Sequence, residues 1–305
     1  VSDLRPSAPA TRPATARPRS DVPPEVEPPS DAEIAAIARH LASQAAHDGA
    51  EIRDDEALGV LLAYRTETGP EHNYAARPTW SAEEWVERLG SLRAAMLASG
   101  KWPSLLLASD LDAPAGAAPT DAIMRVEGWA PVMSERVLWV GHASIVPHLD
   151  PSLRIEAVQP HLPGSIADHE ALERLAFGIA AERAEDRRGR LADALRSGRL
   201  RAFIVRVEGQ PAAVARLSQG DGVAGLTGIG VHPDLRRRGL GTLTTIVATR
   251  AGLALGNRIV WLSVREDDAA AASLYATVGF RPAFGWTRWL AVDRPSAEGG
   301  STPVA

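Results

Sequence analysis

The stretch VHPDLRRRGLGTLT, Val231–Thr244, sets Arg236, Arg237 and Arg238 directly before Gly239-Leu240-Gly241. A solvated charge run is the plain reading of three adjacent arginines. The flanks argue for more. VAGLTGIGV, ending at Val231, reads as a strand, and a helical pattern runs from the glycines to about Leu255. The first turn of a helix leaves N–H groups without intrahelical partners, at the positive end of the helix dipole. Glycine has no Cβ, so an anion can come close to its backbone. Strand, Gly-x-Gly and helix together make a phosphate cradle, to which arginines add charge-assisted contacts. A dinucleotide-type Gly-x-Gly-x-x-Gly turn does not fit, because Thr244 stands where the third glycine belongs. No Gly-Lys-Ser/Thr is present, which excludes a Walker loop.

Outward from this turn, the pattern from about Leu153 is regular. RIEAVQP reads as a strand, and Ile166 to Ala181 and Ala184 to Ser197 read as helices. RAFIVRVEG and PAAVARLSQ are strands joined through Gly209-Gln210-Pro211, a tight-turn signal. The strand VAGLTGIGV and the helix follow, then the strand RIVWLSV, a helix from Asp268 to Gly279, and the strand FGWTRWLAV. The order β-α-α-β-β-β-α-β-α-β predicts an α/β fold on a mixed sheet.

The residues Arg236 to Gly241 match the R/Q-x-x-G-x-G/A signature of the GNAT N-acetyltransferase superfamily, and VREDDAAAASLYATVGF, Val264–Phe280, resembles the family's block V-x-x-x-N-x-x-A-x-x-L-Y-x-x-x-G-F. The resemblance covers roughly Leu153 to Val292. It implies the GNAT acyl-CoA N-acyltransferase fold, acetyl-CoA as co-substrate and no metal. The loop would hold the pyrophosphate through Arg236, Arg237, Arg238, Gly239, Leu240, Gly241 and Thr242, with Arg236 at the signature position and Arg237 and Arg238 equally able to face solvent or the 3′-phosphate. Backbone groups near Gly228, Ile229, Gly230 and Val231 would face the pantetheine arm, on a strand splayed from the next parallel strand. A primary amine would attack the thioester directly, with a backbone N–H stabilising the carbonyl oxygen.

Tyr275 stands at the family's general-acid position and would protonate the leaving thiolate. Core packing explains it as well, since Ala271, Leu274, Tyr275 and Val278 share a helix face. Asp268 takes the usual Asn position. Helix capping accounts for it, as does a contact with the pantetheine arm. No general base is evident: Leu226-Thr227-Gly228 carries no glutamate, and Asp221, Glu266 and His232 are each weak candidates. The acceptor, a small-molecule or peptide amine, is left open, as are acyl length and the choice between monomer and homodimer. The missing base and the diverged first half keep a second reading alive, a non-catalytic acyl-CoA sensor or scaffold.

Residues 31–150 alternate the same signals. Ile34, Ile37, Ala38 and Leu41 share a helix face, with Ser30 or Asp31 as N-cap. LGVLLAYRTE, NYAARP, PSLLLAS and ERVLWVG read as strands. Ser81 starts a helix through Trp85, Leu89, Leu92 and Met96, with capping-box spacing to Glu84. A Pro/Ala/Gly-rich break precedes a short helix from about Asp121. Gly128-Trp129 before ERVLWV echoes Gly279-Phe280 before GWTRWL, which points to a tandem arrangement with a degenerate first copy. Where that copy's phosphate loop should lie, Arg77 to Ser81, there is no Gly-x-Gly, Trp80 obstructs, and Glu83 and Glu84 would repel phosphate. This half is therefore expected not to bind CoA, and its tryptophans Trp80, Trp85, Trp102 and Trp129 to be core.

The expected division is thus a tail to residue 30, a GNAT-like half over 31–150, a catalytic half over 151–293 and a flexible tail over 294–305. Eight of the 23 prolines fall in the first segment, which lacks the apolar content to offset the entropy of ordering. Net charge is -5, against a nucleic-acid partner. No apolar run is long enough for a bilayer, no secretory pattern opens the chain, and the expected location is cytoplasmic. Cysteine is absent, which removes disulfides and thiol catalysis.

Overall fold

The β-branched and aromatic runs of both halves assemble into one sheet. The computed structural model describes residues 27–66, 69–70, 72–108, 111, 120–142 and 152–292. The tails expected over 1–30 and 294–305 lie almost wholly outside these residues, as does most of the Pro/Ala/Gly-rich break.

The N-terminal half opens with α1 (Asp31–Ala42), capped at Ser30, whose N–H and hydroxyl donate to Glu33 Oε2 at 2.8 Å each. Strands β1 (Glu51–Asp55), β2 (Val60–Tyr64) and β3 (Tyr74–Ala76) follow as antiparallel neighbours. Helix α2 (Trp85–Ala98) then crosses to β4 (Ser104–Ala108), which runs parallel to β3. A short α3 (Thr120–Val126) leads into β5 (Trp129–Val140). Strand β1 escaped the sequence pattern because it is a charged edge strand, EIRDD, with little apolar alternation. Helix α2 begins at Trp85 rather than Ser81. Glu84 folds back to accept the Ser81 N–H at 2.9 Å, so the expected capping pair exists, but as a turn one step ahead of the helix.

The C-terminal half repeats the plan with an added N-terminal portion, β6 (Leu153–Ala157), α4 (Pro163–Phe177) and α5 (Ala184–Arg196). Gly178, at φ 65°, stops α4 short of the expected Ala181. Strands β7 (Leu200–Val207), β8 (Gln210–Gly220) and β9 (Val223–Val231) form an antiparallel meander. Helix α6 (Leu240–Ala254) crosses to β10 (Ile259–Arg265), parallel to β9, and α7 (Ala269–Val278) leads to β11 (Arg281–Ala291). The series β3-α2-β4-α3-β5 and β9-α6-β10-α7-β11 therefore match element for element, as the Gly-aromatic echo predicts.

The halves do not close separately. The eleven strands run β1-β2-β3-β4-β11-β5-β10-β9-β8-β7-β6. Each half's last strand lies in the other half's sheet: β5 pairs with β10, β11 with β4, and the two pair with each other at the centre. A cut near residue 150 separates two repeats of sequence but leaves each sheet without its sixth or fifth strand. The exchange is anchored by large side chains. Trp289 of β11 is buried with Leu62, Trp85, Leu89 and Leu105 of the first half, and Trp139 of β5 packs with Trp261 of β10. Truncating one such tryptophan costs about 3–5 kcal/mol. Of the four tryptophans expected in the core, Trp80, Trp85 and Trp129 are buried and Trp102 is half-buried, donating Nε1–H to the Ala291 carbonyl at 3.0 Å.

Helix α1 of the first half lies on the face of β8 and β9, the face that also carries α4. Trp261 Nε1 donates to His40 Nδ1 at 3.1 Å across this contact. No helix among the described residues is long and apolar enough to cross a membrane.

Candidate functional site

Strands β9 and β10 begin paired and then part. Val223 to Leu226 face Ile259 to Leu262 in register. Beyond Leu226, β9 keeps only β8 as a neighbour, while Ser263, Val264 and Arg265 keep only β5. A bulge on β9 accompanies the parting: Thr227 faces Arg216 and Gly230 faces Val214, so two residues of β9 oppose Ala215 alone. An extra residue bends and twists its strand. Gly228, at φ 59°, supplies the left-handed conformation that the bulge needs. The result is a wedge between Thr227–Val231 and Ser263–Arg265, and Ile229, Gly230 and Val231 line its β9 side.

The wedge runs onto the arginine-glycine turn. Arg237 and Gly239 have φ of 64° and 76°, with Arg238 between them outside the left-handed region. Alternating backbone handedness of this kind turns successive N–H groups toward one point, an anion-binding nest. Among the described residues no backbone acceptor takes the amides of Arg237 to Thr242. Those of Leu240, Gly241 and Thr242 open α6, a helix of 15 residues. The three arginines differ. Arg236 Nη2 donates to the Ala176 carbonyl at 2.9 Å, tying the loop to the end of α4. Arg237 and Arg238 are exposed and, among the described residues, have no hydrogen-bond or ion-pair partner.

On α7, Asp268 accepts the Ala271 N–H at 2.9 Å, the expected N-cap. Tyr275 is half-buried, its ring edge-on to Phe280 with centroids 6.0 Å apart. Burial, with the charges of Asp268 and Glu135 adding, pushes its phenol up to about 12, so the hydroxyl keeps its proton at neutral pH. Among the described residues that hydroxyl has no hydrogen-bond partner.

At the closed end of the wedge lies a cavity of about 410 Å³, built from both halves. Thr227, Gly228 and Ser263 come from the parted strands, Asp48 and His47 from the first half. Its centre of charge is Glu173 of α4. Arg187 Nη2 donates to Glu173 Oε2 at 2.8 Å, and Arg216 Nη2 donates to the same oxygen. Arg216 also reaches Asp48 Oδ1 at 3.3 Å, so one guanidinium bridges the halves. Glu173 Oε1 accepts no hydrogen bond among the described residues and lies beside Gly228: a Cβ there would stand 2.7 Å from it. Burial raises the Glu173 carboxyl above its ordinary value, and Arg216 and Arg187 only partly offset this. Glu135 of β5, opposite Arg265, is also raised by burial, with Ser263 hydrogen bonding against the shift.

Glu173 was missed as a site residue, yet a signal was present. The buried positions of α4 are 166, 169, 170, 172 and 173, and three of the five are His169, Glu170 and Glu173. Ionisable residues at inward positions of a helix mark a polar cluster. The three base candidates read from sequence lie elsewhere. Asp221 pairs with Arg39 at 3.0 Å at the far end of β9, His232 Nδ1 accepts the Asp234 N–H at 3.3 Å, and Glu266 is exposed past β10. In the first half, the place of the phosphate loop is filled. Trp80 is buried, donates Nε1–H to the Leu58 carbonyl at 2.6 Å and stacks edge-on with Trp85. Among the described residues no group of His, Asp and Glu is arranged to hold a metal ion.

Residues 167–280 match the model of the acetyltransferase (GNAT) family. No curated protein matches the chain. Among solved structures, a GCN5-related N-acetyltransferase from Kribbella flavida superposes with a TM-score of 0.65 at 20% identity, over 85% of this chain and 96% of that one. A GCN5-related N-acetyltransferase from Sphaerobacter thermophilus gives 0.52 at 16% identity, over 88% and 97%. A tandem GNAT protein from the clavulanic acid biosynthesis pathway gives 0.55 at 17% identity, over 76% and 78%. At these identities the likeness is one of fold, and it extends through both halves.

Proposed function

Because its C-terminal half carries a GNAT-family acetyltransferase domain, we propose that this protein transfers an acetyl group from acetyl-CoA to a primary amine. The observation that carries the proposal is the parting of β9 from β10, with a phosphate nest at one end and a cavity at the other. Thr227 and Val231 are separated by roughly 13 Å of strand, which suits an extended arm joining a phosphate group to a reactive one.

The donor's pyrophosphate would sit on the amides of Arg237 to Thr242, where helix dipole and nest act together. Arg237 and Arg238 would add charge, while Arg236 holds the loop in place. The pantetheine amides would pair with the unpaired edge of β9 over Ile229, Gly230 and Val231. This edge would also supply the N–H that stabilises the developing oxyanion. Asp268 keeps α7 in register. Tyr275, protonated at neutral pH, would give its proton to the leaving sulfur. The cavity falls in the range of small-molecule sites and would receive the amine.

A sensor or scaffold without turnover rests on the absence of an evident base and on the diverged first half; Glu173 beside Gly228 supplies a carboxylate close to β9 and speaks against the first of these. Calorimetric titration with acetyl-CoA, paired with thiol release over a panel of primary amines, tests the proposal. Binding with amine-dependent release supports it. Absence of binding rejects the donor site, and binding without release on any amine favours the sensor.

A further inference from the structure

We infer that Glu173 is the proton acceptor for the incoming amine, delivered from α4 through the gap that Gly228 leaves in β9. The inference rests on the acetyltransferase reading above and assigns the group that reading lacks.

Three observations converge on it. The first is orientation. Both guanidiniums bind Oε2, from Arg187 of α5 and Arg216 of β8, so the carboxylate is fixed with Oε1 uncommitted. The second is position. Oε1 borders Gly228 at the bulge where β9 leaves β10, and Glu173, Thr227, Gly228 and Ser263 share the cavity. A Cβ at residue 228 would stand 2.7 Å from this oxygen, closer than contact allows, so the bulge glycine and the helix glutamate are complementary. The third is environment. Asp48 from the first half and Glu170 and His169 from the same helix complete the surroundings. Burial outweighs the two cations and raises the carboxyl, which moves a base toward the pH at which it works.

The step balances as follows. An N–H bond of the ammonium breaks, the proton passes to Glu173 Oε1 and the electron pair stays on nitrogen. That pair forms the C–N bond at the thioester carbonyl, and the C–S bond breaks with its electrons on sulfur. The thiolate takes the Tyr275 proton. The second nitrogen proton, lost as the amide forms, restores the Tyr275 hydroxyl through solvent, and Glu173 returns its proton to solvent.

The test uses the full chain, acetyl-CoA, a panel of primary amines, and hydroxylamine, which is neutral near pH 7. Glu173→Gln should bind acetyl-CoA within about twofold of the parent. With alkylamines near pH 7 its kcat/KM should fall on the order of 100-fold, and recover about tenfold per pH unit as the free amine appears. With hydroxylamine the loss should be small, because no proton has to be removed before attack. Glu173→Asp, which keeps the charge with a shorter reach, should lie between the two. Equal losses with alkylamines and hydroxylamine would mark a structural role and overturn the assignment. So would a parent-like pH profile in Glu173→Gln, or loss of the acid limb in Glu135→Gln instead. Failure of the parent to bind acetyl-CoA would reject the acetyltransferase reading itself, a result separable from all of these.

Discussion

Glu173 Oε1 lies 2.7 Å from the point at which a side chain on Gly228 would begin. Gly228 is also held at φ 59°. Gly228→Ala therefore meets two penalties, a left-handed backbone and a collision with a carboxylate whose other oxygen is pinned by two arginines. The backbone penalty alone is about 1–2 kcal/mol. Urea denaturation should show at least that loss, and thiol release should fall while Glu173 keeps its charge. A variant with unchanged stability and turnover would show that the bulge does not need glycine.

Arg216 joins Glu173 to Asp48, with its side chain 12% exposed. Breaking a buried ion pair by removing one partner costs about 3–5 kcal/mol. Arg216→Ala should lose stability on this scale, because two acids are left facing each other. Arg216→Lys should recover only part, since an ammonium cannot span both carboxylates with a planar fork. Denaturant midpoints for the parent and the two variants give the comparison.

The three arginines of the loop should separate by assay. Arg237→Glu and Arg238→Glu alter exposed groups and should shift stability by no more than about 0.5 kcal/mol. Each should weaken acetyl-CoA binding by about tenfold or more, as a charge is reversed beside the phosphate nest. Arg236→Ala should instead cost stability, about 1 kcal/mol, through the lost hydrogen bond to the Ala176 carbonyl. Calorimetry and melting curves on the three variants would reveal a failure of this division of labour.

Tyr275→Phe keeps the ring against Phe280 and removes only the hydroxyl. Its kcat should drop on the order of 100-fold, with KM for acetyl-CoA little changed. With its pKa pushed up to about 12, the phenol should impose no alkaline fall in the parent's activity below roughly pH 11. Full turnover in the phenylalanine variant would remove the general-acid role.

Acid should destabilise the fold through two buried imidazoles. Burial holds His40 down to about 4 and His169 down to about 3. Both are neutral in the native state, whereas the unfolded chain protonates them below about 6.5. The unfolded state thus binds more protons in this window, and stability falls as pH drops. Each contributes a loss of roughly 2 kcal/mol between pH 6.5 and 5. The effect of His40 levels off near 4 and that of His169 near 3. Urea midpoints across this range should slope accordingly, and His169→Asn should reduce the slope.

The strand, arginine-glycine turn and helix start were readable from residues alone because their determinants are contiguous. Strand, arginines, glycines and helix start lie within about twenty positions, and backbone geometry over so short a span follows from residue type. The helix and strand succession of the C-terminal half was readable for the same reason, down to the Asp268 cap. The first half was read less well where patterning is weak: β1 is a charged edge, and the Ser81–Glu84 pair serves a turn before the helix.

The cavity around Glu173 took shape only with the chain folded. Glu173 and Gly228 are 55 positions apart, and Asp48 lies in the other half. The inward ionisable face of α4 marks Glu173 as part of a polar cluster, but nothing in either segment shows that it meets Gly228 and Asp48. Strands β5 and β11 carry similar alternation, so local pattern does not say which half's sheet each one completes. Their exchange is set by where the tryptophans find room: Trp289 among Leu62, Trp85, Leu89 and Leu105, and Trp139 beside Trp261. A turn between a strand and a helix needs one loop, whereas a cavity needs walls from several elements, and only packing decides which walls meet.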